Sequence, residues 1–521
     1  MNLVERLLSR AAERGAQAAI VETIGGLDEV TTFAVLAEGS ARAAALLQGR
    51  GIGAGDHVLF LAPMSAALYV WLLAVLRLGA IAMFLDPAAG RAHAAHCLRM
   101  VAPRGFVGSA RAHLLRLAIG ELRRVPLQVH LGGWVPFAVS AVAARRMAPQ
   151  AALAPCAAEH PALVTFTSGS TGEPKAIVRS HGFLLDQHTV LESALELRPG
   201  AVDLTTLPIF LLANLASGMT SVIPDADLRR PGAVDAAPVL AQISRLQPQS
   251  CGASPAFLER LCDGAERAGA DLAPLRRMFV GGGPVFPGLI RRACRLLPRG
   301  DLVVVYGSTE AEPIAHLAAS GISAEDYARM GAGGGLLAGR PVAQIALGLL
   351  PDQWGRSIGP YAPRDFDALR LPAGQVGEIV VSGKHVVRGY LGGRGDAETK
   401  FDVGGQRWHR TGDLGRLDDD GRLWLLGRCS ASVQDARGRL YPFAVECAAL
   451  QQPGVKRAAL ALIDARRILA YEADRDLPLR DALAWAALDE ARRVAAIPVD
   501  SRHNAKIDYP ALGRLLGRPQ A

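Results

Sequence analysis

Residues 165–182 read TFTSGSTGEPKAIVRSHG, and the reading of this stretch decides the fold. Thr167, Ser168, Ser170 and Thr171 are interleaved with Gly169 and Gly172, and the run ends on Lys175. Small residues leave backbone amides open, and amides with hydroxyls form an anion-binding nest. The apolar ALVTFT before the run predicts a strand entering the loop, and FLLDQHTVLESALEL after it predicts a helix. The spacing is not that of a Walker loop, because Glu173 and Pro174 separate Gly172 from Lys175. On this stretch alone a flexible surface loop remains an alternative. A phosphate held here for transfer, for cleavage or for display is equally open.

Outward from that loop, 521 residues exceed one ordinary core, so two or more domains are expected. Helical apolar runs alternate with short β-rich segments that stop at glycine, the pattern of an α/β fold. RRMFVGGGP (276–284) and DLVVVYGSTE (301–310) both end an apolar strand on small and polar residues. Strand ends of this kind are where open α/β sheets bind ligands. GQVGEIVVSG (374–383) and GRLWLLG (421–427) suggest a small antiparallel subdomain. PFAVECAALQQPGV, RAALALI and a helix-like RDALAWAALDEARRV make a small α+β domain after Gly427. The expected division is 1–427 and 428–521.

Half the residues are apolar and a fifth charged, as in a globular protein. The net charge of +8 comes without a basic run interleaved with aromatics, so no nucleic-acid partner is expected and surplus arginine is read as spread over a solvated surface. Seven scattered cysteines without CxxC pairs point to a reducing, cytoplasmic setting with no disulfide framework or zinc site. MNLVERLLSRAAERG reads as an amphipathic helix and not as a cleavable signal. SAALYVWLLAVLRLGAIAMFLD (65–86) is long enough to span a bilayer, but Arg77 and Gly79 interrupt it, so it reads as a buried helix running into a strand. Positive mean hydropathy keeps peripheral membrane contact open.

Only five of the 57 basic residues are lysines: Lys175, Lys384, Lys400, Lys456 and Lys506. An ammonium is a compact point charge that a guanidinium fork does not replace between a phosphate and a reacting atom. Lys175 ends the opening loop and Lys506 lies in PVDSRHNAKIDYPAL, so these two are candidates and the other three are read as surface residues. YGSTEAEP (306–313) places Tyr306, Gly307, Ser308, Thr309 and Glu310 at a strand end, a set suited to a base, a phosphate and Mg2+. HRTGDLGRLDDDGRLWLLGR (409–428) offers Asp413 as a ribose acceptor and Arg428 at the domain edge. Its Asp418–Gly421 run is read as a hairpin turn and not as a metal site.

TSGSTGEPK, GGGPVFP, YGSTE, TGDLGRLDDDG and the terminal AKID, in this order, resemble the adenylate-forming superfamily of acyl-CoA synthetases, luciferases and adenylation domains. The resemblance covers nearly the whole chain. It implies a large N-terminal domain of mixed α/β sheets and a small mobile α+β C-terminal domain. It implies ATP, with Lys175 and its loop on the phosphates and Glu310 on Mg2+. It further implies Tyr306 against adenine beside Gly281, Gly282 and Gly283, Thr309 on the α-phosphate, and Asp413 with Arg428 on the ribose. Lys506, carried by the C-terminal domain, would bridge carboxylate and nucleotide. The reaction it implies is nucleotidyl transfer.

PDADLRRPGAVD, GASPAFLERL, LYPFAVE and PVDSRHNAKI look most like the β-lactone synthetases of bacterial long-chain olefin biosynthesis. That resemblance implies a 2-alkyl-3-hydroxy fatty acid as substrate, and other lipid-making enzymes as partners. Leu211 stands near the place where many acyl-CoA synthetases carry histidine. Two departures put CoA use in question: the loop DARGRLYPFAVE is rearranged, and Ser430 occupies the hinge position usually held by Asp or Lys. A fatty acyl ligase using CoA or a carrier thiol, and an idle adenylation-fold scaffold, are the competing readings. No base for lactone closure is assigned among His181, His385, His409 and His503.

Overall fold

A computed structural model describes residues 2–86, 89–168, 174–500 and 506–517. The chain divides into two compact units, the first comprising 1–229, 241–252 and 389–396 and the second the remainder.

The first unit holds a seven-stranded sheet in the spatial order Val139–Ser140, Leu127–Leu131, Gly105–Ser109, His57–Leu61, Ile81–Phe84, Pro161–Ser168, Pro174–Ser180. All neighbours are parallel except the last two strands, which form a hairpin. A second parallel set contains Val202–Thr205, Thr220–Ile223 and Ala18–Ile24. The apolar stretch 65–86 forms a helix, Ala66–Arg77, with Ser65 as its N-cap, and then the strand Ile81–Phe84. Nearly all of that helix is buried, Arg77 included, and Gly79 makes the turn at a φ of 65°. Among the described residues no helix is long and apolar enough to cross a membrane.

In the second unit Arg277–Gly281 and Asp301–Ser308 are parallel, and antiparallel neighbours follow in the order Ala311–Ala318, Leu336–Pro341, Leu423–Arg428, Gln406–Leu417, Gly377–Ser382, Ala346–Leu350. The last four strands supply the expected antiparallel subdomain. Asp418–Gly421 is a hairpin turn: the Gly421 amide donates to the Asp418 carbonyl, and the Asp418 carboxylate accepts from Trp424 Nε1 at 2.9 Å. Further along, Arg457–Ile463, Arg466–Glu472 and Glu490–Arg493 form a three-stranded sheet beside the helices Pro442–Leu450 and Tyr509–Leu516.

Two local expectations are corrected. RDALAWAALDEARRV is not one helix but a turn of helix, Leu479–Ala482, a short 3-10 turn, a left-handed Ala487 and the strand Glu490–Arg493. Burial of Leu483, Ala486 and Leu488 and parallel pairing with Arg466–Glu472 override the helical propensity of the alanines. The opening loop is followed by the strand Pro174–Ser180 before the helix His181–Ala194, so Lys175 stands on a hairpin strand.

Candidate active site

A cavity of about 440 Å³ lies within the second unit, in the size range of small-molecule sites. Its wall contains seven residues expected from the sequence: Gly282, Gly283, Tyr306, Gly307, Asp413, Arg428 and Lys506. Apolar side chains, among them Val285, Phe286, Leu336, Leu337 and Phe443, complete it. Strands build the polar part. Asp301–Ser308 delivers Tyr306, and the paired strands Gln406–Leu417 and Leu423–Arg428 place Asp413 directly opposite Arg428.

These three side chains are joined. Tyr306 Oη donates to Asp413 Oδ2 at 2.8 Å, and Arg428 Nε lies 3.2 Å from Asp413 Oδ1. Arg428 Nη1 donates to the Thr411 carbonyl at 3.1 Å, and the Asp413 amide donates to Thr411 Oγ1. Burial and the Asp413 charge push the Tyr306 phenol well above its ordinary value, so it remains a donor. The same carboxylate raises Arg428. Among the described residues each carboxylate oxygen has one side-chain partner, which leaves a second lone pair for a ligand hydroxyl.

The glycines are dictated by close approach. A Cβ on Gly281 would come 2.7 Å from the Val305 carbonyl oxygen, and Gly282 has a φ of 81°. Gly281, Ser308, Thr309, Glu310 and Ser430 stand off the cavity wall. Thr309 and Glu310 form the tight turn between Asp301–Ser308 and Ala311–Ala318, so Glu310 caps no helix. The Glu310 charge acts on both His409 and Arg428. Its carboxylate is the hard oxygen donor that Mg2+ prefers. Ser430 is exposed on the 3-10 turn Cys429–Ala431.

Lys506 is held through its backbone. Its amide donates to Asp500 Oδ1 at 2.8 Å, and the Asp500 amide donates to the Lys506 carbonyl at 2.8 Å. Asp500 lies in PVDSRHNAKI but is given no role there. Glu446, the last residue of LYPFAVE and likewise given no role, is buried, lines the cavity and accepts from the Leu460 amide at 3.1 Å and Tyr509 Oη at 3.0 Å. Burial pushes its carboxyl up to about 7.

In the first unit Thr167 pairs with Lys175 and Ser168 with Pro174 across the hairpin. Gly169, Ser170, Thr171 and Gly172 lie outside the described residues, as does His503. Lys175 is buried, with Nζ 5.6 Å from the Tyr390 ring centroid. Gly395, at a φ of 98°, leaves room for it, since a Cβ there would lie 2.6 Å from Lys175 Cε. Of the other lysines, Lys384 is exposed and Lys456 pairs with Asp474 at the surface. Lys400 is buried and donates to the Val387 carbonyl, which corrects its reading as a surface residue.

His181, His385 and His409 are all buried. His181 Nδ1 accepts from the Leu3 amide, and burial lowers this imidazole to about 4. Burial, with Lys400 adding to it, lowers His409 to about 3. Both stay neutral near pH 7.

A family profile described as AMP-binding enzyme matches residues 8–391. An olefin β-lactone synthetase of Stenotrophomonas maltophilia is 32% identical over 97% of this chain and 96% of its own length. One from Xanthomonas campestris pv. campestris is 30% identical over the same shares. An amide bond synthetase from Marinactinospora thermotolerans superposes with a TM-score of 0.80 at 23% identity, covering 99% of both chains, and so shares the fold. On the profile match, which spans most of its length, the chain belongs to the AMP-binding enzyme family.

Proposed function

We propose that the chain is an AMP-forming β-lactone synthetase. It activates a 2-alkyl-3-hydroxy fatty acid as the acyl-AMP, and the acid's own hydroxyl then displaces AMP. The observation that carries this reading is the likeness to two olefin β-lactone synthetases along 97% of the chain. Family membership makes ATP the nucleotide.

In the first step a carboxylate oxygen bonds to the α-phosphorus as the bond to pyrophosphate breaks. Two anions meet, so the site must supply positive charge and alignment. We assign Lys175, with Thr167, Ser168, Gly169, Ser170, Thr171 and Gly172, to the phosphates and Thr309 to the α-phosphate. Asp413 and Arg428 take the ribose, and Tyr306 takes the adenine beside Gly281, Gly282, Gly283, Gly307 and Ser308. Lys506 takes the reacting carboxylate. The common cavity wall of Gly282, Gly283, Tyr306, Gly307, Asp413, Arg428 and Lys506, with the bonds among Tyr306, Asp413 and Arg428, supports the adenine, ribose and carboxylate parts of this assignment. Glu310 is the proposed Mg2+ ligand, and that ion would neutralise phosphate charge. We propose that 428–521 moves as a domain about the exposed Ser430, bringing Lys506 in only when needed.

In the second step the 3-hydroxyl oxygen bonds to the acyl carbon, its proton leaves to water or phosphate, and the acyl–phosphate bond breaks to release AMP. An internal nucleophile removes the need for CoA or a carrier thiol. A 2-alkyl acid lacking the 3-hydroxyl tests this reading. It should yield bound acyl-AMP with little AMP released. Equal multiple turnover of the hydroxylated and deoxy acids would overturn intramolecular closure.

A further inference from the structure

The charge of the chain is concentrated in one segment. Residues 89–150 contain nine arginines and one glutamate, so the whole surplus of +8 sits there, and the other residues balance at 48 basic and 48 acidic. Eight of the nine arginines are exposed, and Arg116 is half-buried. Among the described residues, Arg99 forms an ion pair with Glu121 and Arg104 with Asp56.

The same segment exposes large apolar side chains: Leu114 at 63%, Leu117 at 85%, Trp134 at 81% and Phe137 at 100%. Topology gathers them. Gly105–Ser109 and Leu127–Leu131 are parallel neighbours, so the chain leaves both strands at one sheet edge. Leu114 and Leu117 follow the first strand, and Trp134 and Phe137 follow the second. Arg116 ties the two exits together, donating from Nη2 to the Pro136 carbonyl at 3.0 Å and from Nε to the His113 carbonyl at 3.2 Å. Phe137 sits at a φ of 61°, a left-handed conformation that costs a bulky residue energy and here returns no packing.

We propose that this face docks on an anionic lipid bilayer, with Trp134 and Phe137 entering the headgroup region and the arginines that follow the same parallel strands, Arg111, Arg116, Arg145 and Arg146, meeting lipid phosphates. Aromatic rings favour that depth, and guanidinium groups bind phosphate as a planar fork. Charge decides between a bilayer and a protein partner. The stretches that follow these strands, 110–119, 132–138 and 141–150, carry four arginines and no acid, which complements a uniformly negative plane better than a surface of mixed sign. Each basic group near such a plane strengthens binding by about fivefold, and added salt weakens it. The inference rests on this surface alone and is independent of the lactone reading.

The test is flotation of the full chain with phosphatidylcholine vesicles, with and without phosphatidylglycerol, beside the variant Trp134→Ser/Phe137→Ser. Expected is flotation only with the anionic vesicles, reversed by salt, and at least about tenfold weaker in the variant. ATP-dependent activation of a short, water-soluble 3-hydroxy acid should be unchanged, showing that the variant is folded. Equal flotation of both proteins would overturn the proposal. So would absence of flotation, and a self-association lost in the variant would then assign the face to a second copy of the chain.

Discussion

Tyr306 and Asp413 stand 107 residues apart in the chain, yet their phenol and carboxylate oxygens are 2.8 Å apart. This bond wires the YGSTE segment to the TGD segment, and Arg428 closes it from the facing strand. The carboxylate is thereby fixed in orientation before any ligand arrives.

Tyr306→Phe removes the phenol while keeping the ring. It should weaken ATP binding about tenfold, the scale of a hydrogen bond to a charged group. Titration calorimetry with ATP checks this. Asp413→Asn should act on the same network, so its effect combined with Tyr306→Phe should fall short of the sum. Additive losses would mean that the two residues work independently.

Lys506→Ala should leave ATP affinity nearly intact and slow adenylation by about a hundredfold or more, because its proposed work lies in the transition state. Pyrophosphate release measures the rate. An unchanged rate would remove Lys506 from the chemistry.

Gly395→Ala places a methyl 2.6 Å from Lys175 Cε at a φ of 98°. Displacement of the ammonium should raise the KM for ATP, and the strained backbone should cost about 1–3 kcal/mol of stability. Steady-state kinetics beside urea unfolding separates the two effects. An unaltered KM would show that Lys175 does not serve the nucleotide.

Glu446 gives a pH dependence with a definite sign. Its folded carboxyl, pushed up to about 7, lies above the ordinary 4.5, so between these values the folded state keeps a proton that the unfolded state has lost. Its contribution is fully present below the unfolded value and disappears as pH rises through 7, a change of about 3 kcal/mol. Glu446→Gln should flatten this slope between pH 5 and pH 8 in urea titrations, on the order of the full effect. Equal slopes in both proteins would place the titration elsewhere.

Much of the site was legible because its chemistry sits where apolar strands stop. VVVYGS announces both a strand and the polar residues at its end, and Asp413 and Arg428 flank a recognisable hairpin. Residues without such a frame were not legible. Glu446 lies within a uniformly apolar helix, and Asp500 acts on a backbone six residues away. Lys400 reads as surface until the fold buries it against the Val387 carbonyl. The alanine-rich 480–494 misleads for a related reason, since pairing with a distant strand determines its conformation.

The most direct measurement is the mass of the product formed from a 2-alkyl-3-hydroxy fatty acid, ATP and Mg2+ with no thiol present. The predicted result is a species lighter than the acid by one water, appearing in step with AMP and pyrophosphate. Acyl-AMP that stays bound until CoA or a carrier thiol is added would contradict lactone closure and identify a ligase.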